Sequence, residues 1–332
     1  MRLLVTGGTG FIGSHLAERG RRLGAEVVVL GLTDRPEEKA NAELLRRQGV
    51  EVVAGSITDA ELCRQAVRGA SHVFHLAVAM REGARNDEFF ESVNLDGTRL
   101  LLEASMEEGV RRFVYCSTIG IYGHRAPGIT RENSPLAPGN IYERTKVSAE
   151  RMVREFGARS LPYTILRPAD VYGPRDRRLL KLFEGVSTGR FPFFGSGEGR
   201  RHMIYVDDVV SGFFRACERD GARGESFILA GPKACTLRDL VGEIQTATGS
   251  RRYGMRFPLK PMLGIAAAIE DVSRVLGVDP PIYRRRMDFF WSDSEFDTTH
   301  ARQGLDWAPR VDLPEGIRRT LEDYRRSGAL AS

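Results

Sequence analysis

The chain has 332 residues, 42% of them hydrophobic and 28% charged, the balance of a soluble globular protein with material for about two domains, or one large domain and an added lobe. Its net charge of +5 is dispersed, and even the triplet Arg284, Arg285 and Arg286 is followed by Asp288, Asp293, Glu295 and Asp297, so a mixed solvated surface is expected and no nucleic-acid partner. The apolar run Met262–Ile269, between Lys260 and Glu270, is too short to span a bilayer; no membrane association is expected, and four scattered cysteines with a strand in place of a targeting peptide suit the cytoplasm.

The first thirteen residues read MRLLVTGGTGFIG. An apolar run, Leu3 to Val5, leads into Gly7, Gly10 and Gly13, after which Phe11, Ile12, Leu16 and Leu23 recur at helical spacing. Strand, tight turn and helix in this order bind a dinucleotide through the backbone. Gly7 permits the turn, Gly10 the close approach of a pyrophosphate, and Gly13 close packing of helix on strand, with the diphosphate on N–H groups at the helix N-terminus. Strands follow at Glu26–Leu30, Val50–Ala54, His72–Leu76, Arg112–Cys116 and Tyr163–Leu166, alternating with helices at Pro36–Gln48, after a capping box of Thr58 and Glu61, at Phe89–Met106 and at Ile141–Phe156. That alternation predicts an α/β fold, a doubly wound parallel sheet of the Rossmann type. Beyond Pro168 the rhythm breaks on repeated Gly and Pro. Ile204–Val206, a helix from Asp207 to Cys217, and Phe227–Leu229 are expected to rejoin the sheet. The dinucleotide-binding domain is thus assigned to 1–174 with 203–232 returning to it, and a smaller, mainly helical substrate lobe to 175–202 and 233–332.

Tyr142 and Lys146, within IYERTK, lie four apart and project from one helix face. An ammonium beside a phenol favours the phenolate, which makes Tyr142 a proton donor or acceptor near neutral pH; a surface tyrosine beside a surface lysine is the plainer alternative. Cys116, Ser117 and Thr118 end the fifth strand, at the edge where such sheets bind ligands. A hydroxyl there either bonds a reacting substrate oxygen or caps a loop.

These residues resemble the extended short-chain dehydrogenases/reductases, the NAD-dependent epimerase/dehydratase family. TGGTGFIGSHL, FHLAVA, NLDGTRLLLEA, VYCSTIGIYG, YERTK, LRPADVYGP, RRHMIYVDDVV and LDWAP fall in the family's order across nearly the whole chain. The resemblance implies a catalytic trio of Thr118, Tyr142 and Lys146. It also implies dinucleotide contacts from Gly7, Gly10, Phe11, Ile12, Ala77, Asn94 and Lys146, with Pro168 near the nicotinamide.

Departures from the family pattern bear on cofactor and substrate. NAD-using members place Asp at the end of the second strand, where this chain has Gly31. Without that carboxylate a 2′-phosphate is not repelled and Arg35 is placed to pair with it, while Asp34 is an alternative ribose contact; for an NAD(P) cofactor this tips the expectation to NADP(H). The family's adenine-contacting Asp falls at Ser56, with Ile57 beside it, and Asp59 reads as a helix cap. On the substrate side, Met80 replaces a Lys and Asp170 an Asn of UDP-galactose 4-epimerase-like members, whereas Arg201 matches the family's phosphate-binding Arg, with Arg175, Arg177 and Arg178 close by in sequence. The acidic pair of 4,6-dehydratases is replaced by Ile119 and Gly120. The long segment between Thr236 and Thr298, with its apolar stretch Phe257–Ile269 and the cluster Phe289, Phe290 and Trp291, looks more like the 3β-hydroxysteroid dehydrogenase and dihydroflavonol reductase branch, although helix packing also explains an apolar stripe. The expectation is a dehydrogenase or reductase acting on a small molecule with a secondary alcohol or ketone. Sugar-nucleotide epimerisation and a dinucleotide sensor without catalysis are the alternatives. Apolar residues beyond one core stripe, Phe90, Leu101, Met152 and Phe156, predict a homodimer built on the two long helices. No metal site is expected.

Overall fold

Leu3 and Val5 of β1 (Arg2–Thr6) belong to one apolar cluster and Leu4 to another. After α1 (Phe11–Arg22), β2 (Glu26–Gly31) repeats the division, with Val27 and Val29 on one side and Val28 and Leu30 on the other. Successive side chains point to opposite faces, so burial of all of them requires cover on both faces, which is why these strands read as unbroken apolar runs. The computed structural model describes residues 1–80, 86–123, 128–250, 256–259 and 293–330, with 261, 262, 264, 265, 269 and 273.

The chain continues through α2 (Pro36–Arg47), β3 (Glu51–Ala54), α3 (Ala60–Val67), β4 (His72–His75), α4 (Asp87–Glu91), α5 (Gly97–Glu107), β5 (Arg112–Cys116), β6 (Ile129–Thr130), α6 (Ile141–Ala158), β7 (Tyr163–Pro168), β8 (Asp170–Tyr172), α7 (Leu180–Ser187), β9 (Phe193–Phe194), β10 (Arg200–Arg201), β11 (Met203–Tyr205), α8 (Val206–Glu218), β12 (Ser226–Leu229), β13 (Cys235–Thr236), α9 (Leu237–Thr248), β14 (Arg256–Phe257), β15 (Glu295–Phe296), α10 (Thr299–Gly304) and α11 (Leu313–Arg326). Seven parallel strands form one sheet in the order β12-β7-β5-β4-β1-β2-β3. Helices α1, α2 and α8 cover one face and α3, α5 and α6 the other. The direction of winding reverses between β1 and β4, which opens a crevice at their carboxyl ends. Register sets Thr6 against His75, and His75 against Tyr115, across that edge.

Four expectations are corrected. Phe227–Leu229 rejoins the sheet as β12, but Ile204–Val206 does not: β12 fills the place beside β7, and β11 pairs instead with β8 in a separate parallel ladder. The helix expected over Phe89–Met106 is interrupted by a π-turn at Ser92–Asp96, which carries the buried Asn94. At α3 the cap is Asp59, whose carboxylate accepts from the N–H groups of Glu61 and Leu62 (2.9 and 3.1 Å), while the Thr58 hydroxyl turns to Ser56; a carboxylate at a helix N-terminus outcompetes a hydroxyl one residue earlier. Finally, Phe90, Leu101 and Phe156 are buried and Met152 packs against the same cluster. The apolar surplus that suggested a dimer contact is used largely inside the monomer.

The C-terminal elements share a core with the sheet and its helices. Leu237, Leu240, Ile317 and Leu321 from α9 and α11 join Leu16 and Phe213 in one continuous core. The Arg175 N–H donates to Asp323 (2.8 Å), and the Tyr324 hydroxyl donates to the Asp176 carbonyl. Arg284, Arg285, Arg286, Asp288, Phe289, Phe290 and Trp291, and part of Phe257–Ile269, lie outside the described residues. Among the described residues no helix is long and apolar enough to cross a membrane, and no cluster of three metal-ligating side chains occurs.

Candidate active site

The glycine turn fills the crevice between β1 and β4. Gly7 has φ +66° and donates its N–H to Leu30 O (2.7 Å); the Gly10 N–H returns to Gly7 O (3.0 Å). A Cβ at Gly7 would lie 2.7 Å from the Ala77 nitrogen, and one at Gly13 2.3 Å from Gly7 O, so both positions require glycine. Gly10 is the N-cap of α1 and no side chain caps the helix, which leaves its N-terminal N–H groups for an anionic ligand. Phe11 and Ile12 open that helix half-buried, with Phe11 edge-on to His15. This cradle fits a dinucleotide diphosphate.

At the end of β2 the structure explains the missing carboxylate. A Cβ on Gly31 would sit 2.5 Å from Thr9 Oγ1; the Thr9 hydroxyl donates to Leu32 O (2.8 Å), and Asn41 Nδ2 fixes Thr9 O at 2.8 Å. Asp34 and Arg35 are exposed at the start of α2, where their N–H groups donate to the Glu38 carboxylate. Ser56 is half-buried and shares a hydrogen bond with Thr58. Ile57 is buried, and its side chain would meet a Cβ on Gly97 at 2.7 Å. Its side chain packs against α5.

The catalytic candidates converge at the carboxyl end of β5. Thr118 Oγ1 accepts from the Gly120 N–H (3.0 Å), and its hydroxyl acts on the Tyr142 phenol. Lys146 is buried; its Nζ donates to Cys116 O (2.7 Å) and stands 4.6 Å from the centroid of the Tyr115 ring. Burial pulls the Lys146 pKa down to about 8, with Cys116 and Glu150 opposing. The expectation for Tyr142 is reversed: burial pushes the phenol above its ordinary value, Cys116 adds to this, and the Thr118 hydroxyl opposes it. The spacing of the pair placed both residues on one face, but the long lysine chain reaches the main chain of β5 rather than the phenol. Beside them the Ser117 hydroxyl is buried with no hydrogen-bond partner, an orphaned polar group that suits a bound polar ligand.

Asn94 is buried and engaged with protein groups: Oδ1 accepts from the Ala79 N–H (2.7 Å), and Nδ2 donates to Ala79 O (3.2 Å) and Thr145 Oγ1 (2.9 Å). Ala77 forms the wall opposite Gly7, and Pro168 is the last residue of β7, paired with Leu229. Among the substrate candidates, Met80 is 51% exposed and Asp170 is exposed, whereas Arg201 is buried. Burial lowers the Arg201 pKa while the negative charge of Asp170 raises it. Arg175 turns to Glu18 on α1, and Arg178 to Asp176. Four side chains that sequence reasoning passed over, Thr6, His75, Thr98 and Thr145, form buried hydrogen bonds behind this site. The signal was present in FHLAVA, NLDGT and YERTK, but pairing depends on strand register.

Comparison with known proteins agrees with this geometry. Residues 3–230 match the model of the NAD dependent epimerase/dehydratase family. A UDP-glucose 4-epimerase of Mycolicibacterium smegmatis is 33% identical over 98% of this chain and 99% of its own. A 2-alkyl-3-oxoalkanoate reductase of Stenotrophomonas maltophilia is 28% identical over 96% and 98%. The crystal structure of a Thermotoga maritima UDP-glucose 4-epimerase with UDP-glucose superposes with a TM-score of 0.79 at 29% identity, covering 98% of this chain and 99% of that one. The chain therefore belongs to the NAD-dependent epimerase/dehydratase family, the extended short-chain dehydrogenases/reductases, and is an enzyme of that type.

Proposed function

We propose that this enzyme interconverts a secondary alcohol and a ketone with Thr118, Tyr142 and Lys146. The observation that carries the reading is the convergence of Thr118, whose hydroxyl acts on the Tyr142 phenol, with the buried Lys146, whose ammonium donates to Cys116 O, at the same sheet edge as the glycine turn. Gly7, Gly10, Gly13 and the start of α1 would hold the dinucleotide, with Ser117 and Lys146 near its reactive end; when bound it supplies or accepts the hydride. Tyr142 exchanges the proton with the substrate oxygen, and Thr118 donates a hydrogen bond to that oxygen. A phenol held above its ordinary pKa is protonated at neutral pH, which suits proton donation to a forming alkoxide. A net dehydrogenase or reductase is the first reading. The Asp170 charge beside Arg201 offsets a diphosphate-binding cation and agrees with a less charged substrate.

Epimerisation is the second reading, favoured by the 33% identity to a UDP-glucose 4-epimerase over nearly both full lengths. UDP-glucose with no added cofactor separates the two. Turnover to the 4-epimer supports epimerisation, whereas a reductase consumes NAD(P)H stoichiometrically with a ketone panel. The family cofactor is NAD; the absence of a carboxylate at Gly31 and the exposed Arg35 favour tolerance of a 2′-phosphate, and calorimetric titration with NAD+ and NADP+ ranks them. Tyr142→Phe abolishes turnover on this mechanism. Retention of activity in that variant would show the proton path to be wrong, and NAD+ binding with no turnover of any carbonyl or sugar would favour a sensor.

A further inference from the structure

The geometry points to His75 as a positioning residue: with Thr6, Thr98, Asn94 and Thr145 it forms two hydrogen-bonded runs, joined at Asn94, that tie the glycine turn to the main chain of Tyr142. This rests on the catalytic reading above and deepens it.

The Thr6 hydroxyl lies 2.7 Å from His75 Nδ1, and His75 Nε2 lies 2.9 Å from Thr98 Oγ1. The Thr98 hydroxyl donates to Asn94 O (2.7 Å), Asn94 Nδ2 donates to Thr145 Oγ1 (2.9 Å), and the Thr145 hydroxyl donates to Tyr142 O (2.9 Å). The directions are forced. Thr98 has spent its single proton on Asn94 O, so its oxygen accepts from His75 and Nε2 carries the hydrogen. Nδ1 is then bare and accepts from Thr6. The Thr6 oxygen in turn accepts the Ala77 N–H at 3.3 Å. From Ala77 to the Asn94 carbonyl the donors point one way, and aligned bonds polarise one another in a buried setting; the Asn94 side-chain amide then starts a second run through Thr145 to Tyr142 O.

Both ends of the cofactor wall are held by these bonds, Ala77 by donating to Thr6 and Ala79 by donating to Asn94 Oδ1 and accepting from Asn94 Nδ2. Ala77 is the residue that leaves no room for a side chain at Gly7. The π-turn places the Asn94 carbonyl toward Thr98 and its amide toward Thr145; such turns recur at functional sites. His75 is fully buried against Phe113 and Tyr115, and Lys146 is the charged group acting on it. Burial first, and Lys146 second, lower its pKa to about 3, so the ring stays neutral while the enzyme works. A protonated ring would reverse the Thr6 bond and break the order.

Two measurements test this. In 15N-histidine-labelled protein, with His75 assigned by loss of its signals in His75→Gln, the expected spectrum shows a protonated Nε2 and a bare Nδ1, unchanged from pH 5 to pH 8. Calorimetric titration with NAD+ is expected to give binding about tenfold weaker for Thr98→Val, which leaves the imidazole N–H without its acceptor, and to recover to within about twofold for Thr98→Ser. Thermal melts establish that each variant is folded. Should Thr98→Val not fold, Thr145→Val interrupts the far end and the same loss is expected. A protonated Nδ1, a titration near pH 6.5, or equal NAD+ affinity in the folded valine and serine variants overturns the proposal. If the wild-type protein binds neither NAD+ nor NADP+, the catalytic reading fails, while the tautomer still decides the chain of hydrogen bonds.

Discussion

Replacing Lys146 by Met should make the protein inactive and more stable at neutral pH. In the fold the ammonium is buried and its pKa falls from 10.5 to about 8, chiefly through burial. At ~1.4 kcal/mol per pKa unit this is a penalty of about 3 kcal/mol carried by the wild type at pH 7. Methionine keeps the length of the side chain and removes the charge, but it forfeits the bond from Nζ to Cys116 O, which returns about 1 kcal/mol. The net expectation is a gain of about 2 kcal/mol. Between pH 8 and pH 10.5 the unfolded wild type binds more protons than the folded one, so wild-type stability rises with pH in that window. At pH 10 the penalty has shrunk to less than about 1 kcal/mol, and the advantage of the variant is gone. Urea unfolding followed by circular dichroism at pH 7 and pH 10 measures both values. A variant less stable than wild type at pH 7, or a difference that does not move with pH, would refute the picture of a lysine kept charged at the expense of stability for the sake of chemistry.

Three further substitutions probe the frame around the site. Gly7→Ala combines a positive φ with a Cβ 2.7 Å from the Ala77 nitrogen; it should destabilise by about 1–3 kcal/mol and remove NAD+ binding in calorimetry, and undiminished binding would contradict the cradle. Gly31→Ala drives a methyl into Thr9 Oγ1 and should cost about 1–3 kcal/mol, most of it recovered when Thr9→Ala is added; urea midpoints for the single and double variants decide whether that hydroxyl is the obstacle. Arg167 donates to both Glu150 oxygens (2.9 and 2.6 Å) beneath α6, and both residues are buried. Arg167→Met leaves the carboxylate only the longer pairing with Arg154 (3.7 Å) and should cost about 3 kcal/mol, while adding Glu150→Leu should restore most of the melting temperature; a double variant no better than the single would place the loss elsewhere.

Much of this enzyme was legible before any coordinates because its signals are local. Apolar runs and helical periodicity reported the strands and helices, since each element must bury a face that its own sequence presents. The glycines of the turn were readable for the same reason: a positive φ at Gly7, and at Gly13 the close approach of Gly7 O within the same turn, are local demands that exclude a Cβ. The order of strand and helix then fixed a doubly wound sheet, and with it the edge that holds Gly7 and Thr118. Tertiary structure alone decided whatever depends on which residues face one another across that edge. Tyr142 and Lys146 are four apart in sequence, yet desolvation sets both pKa values and Lys146 spends its ammonium on Cys116 O. Thr9 explains Gly31 from 22 positions away in the chain, and Asn94 bonds to the protein through a π-turn that no helical period announces. Burial and hydrogen bonding at a distance are properties of register and packing, so a pattern read along one chain contains the participants but not the pairs.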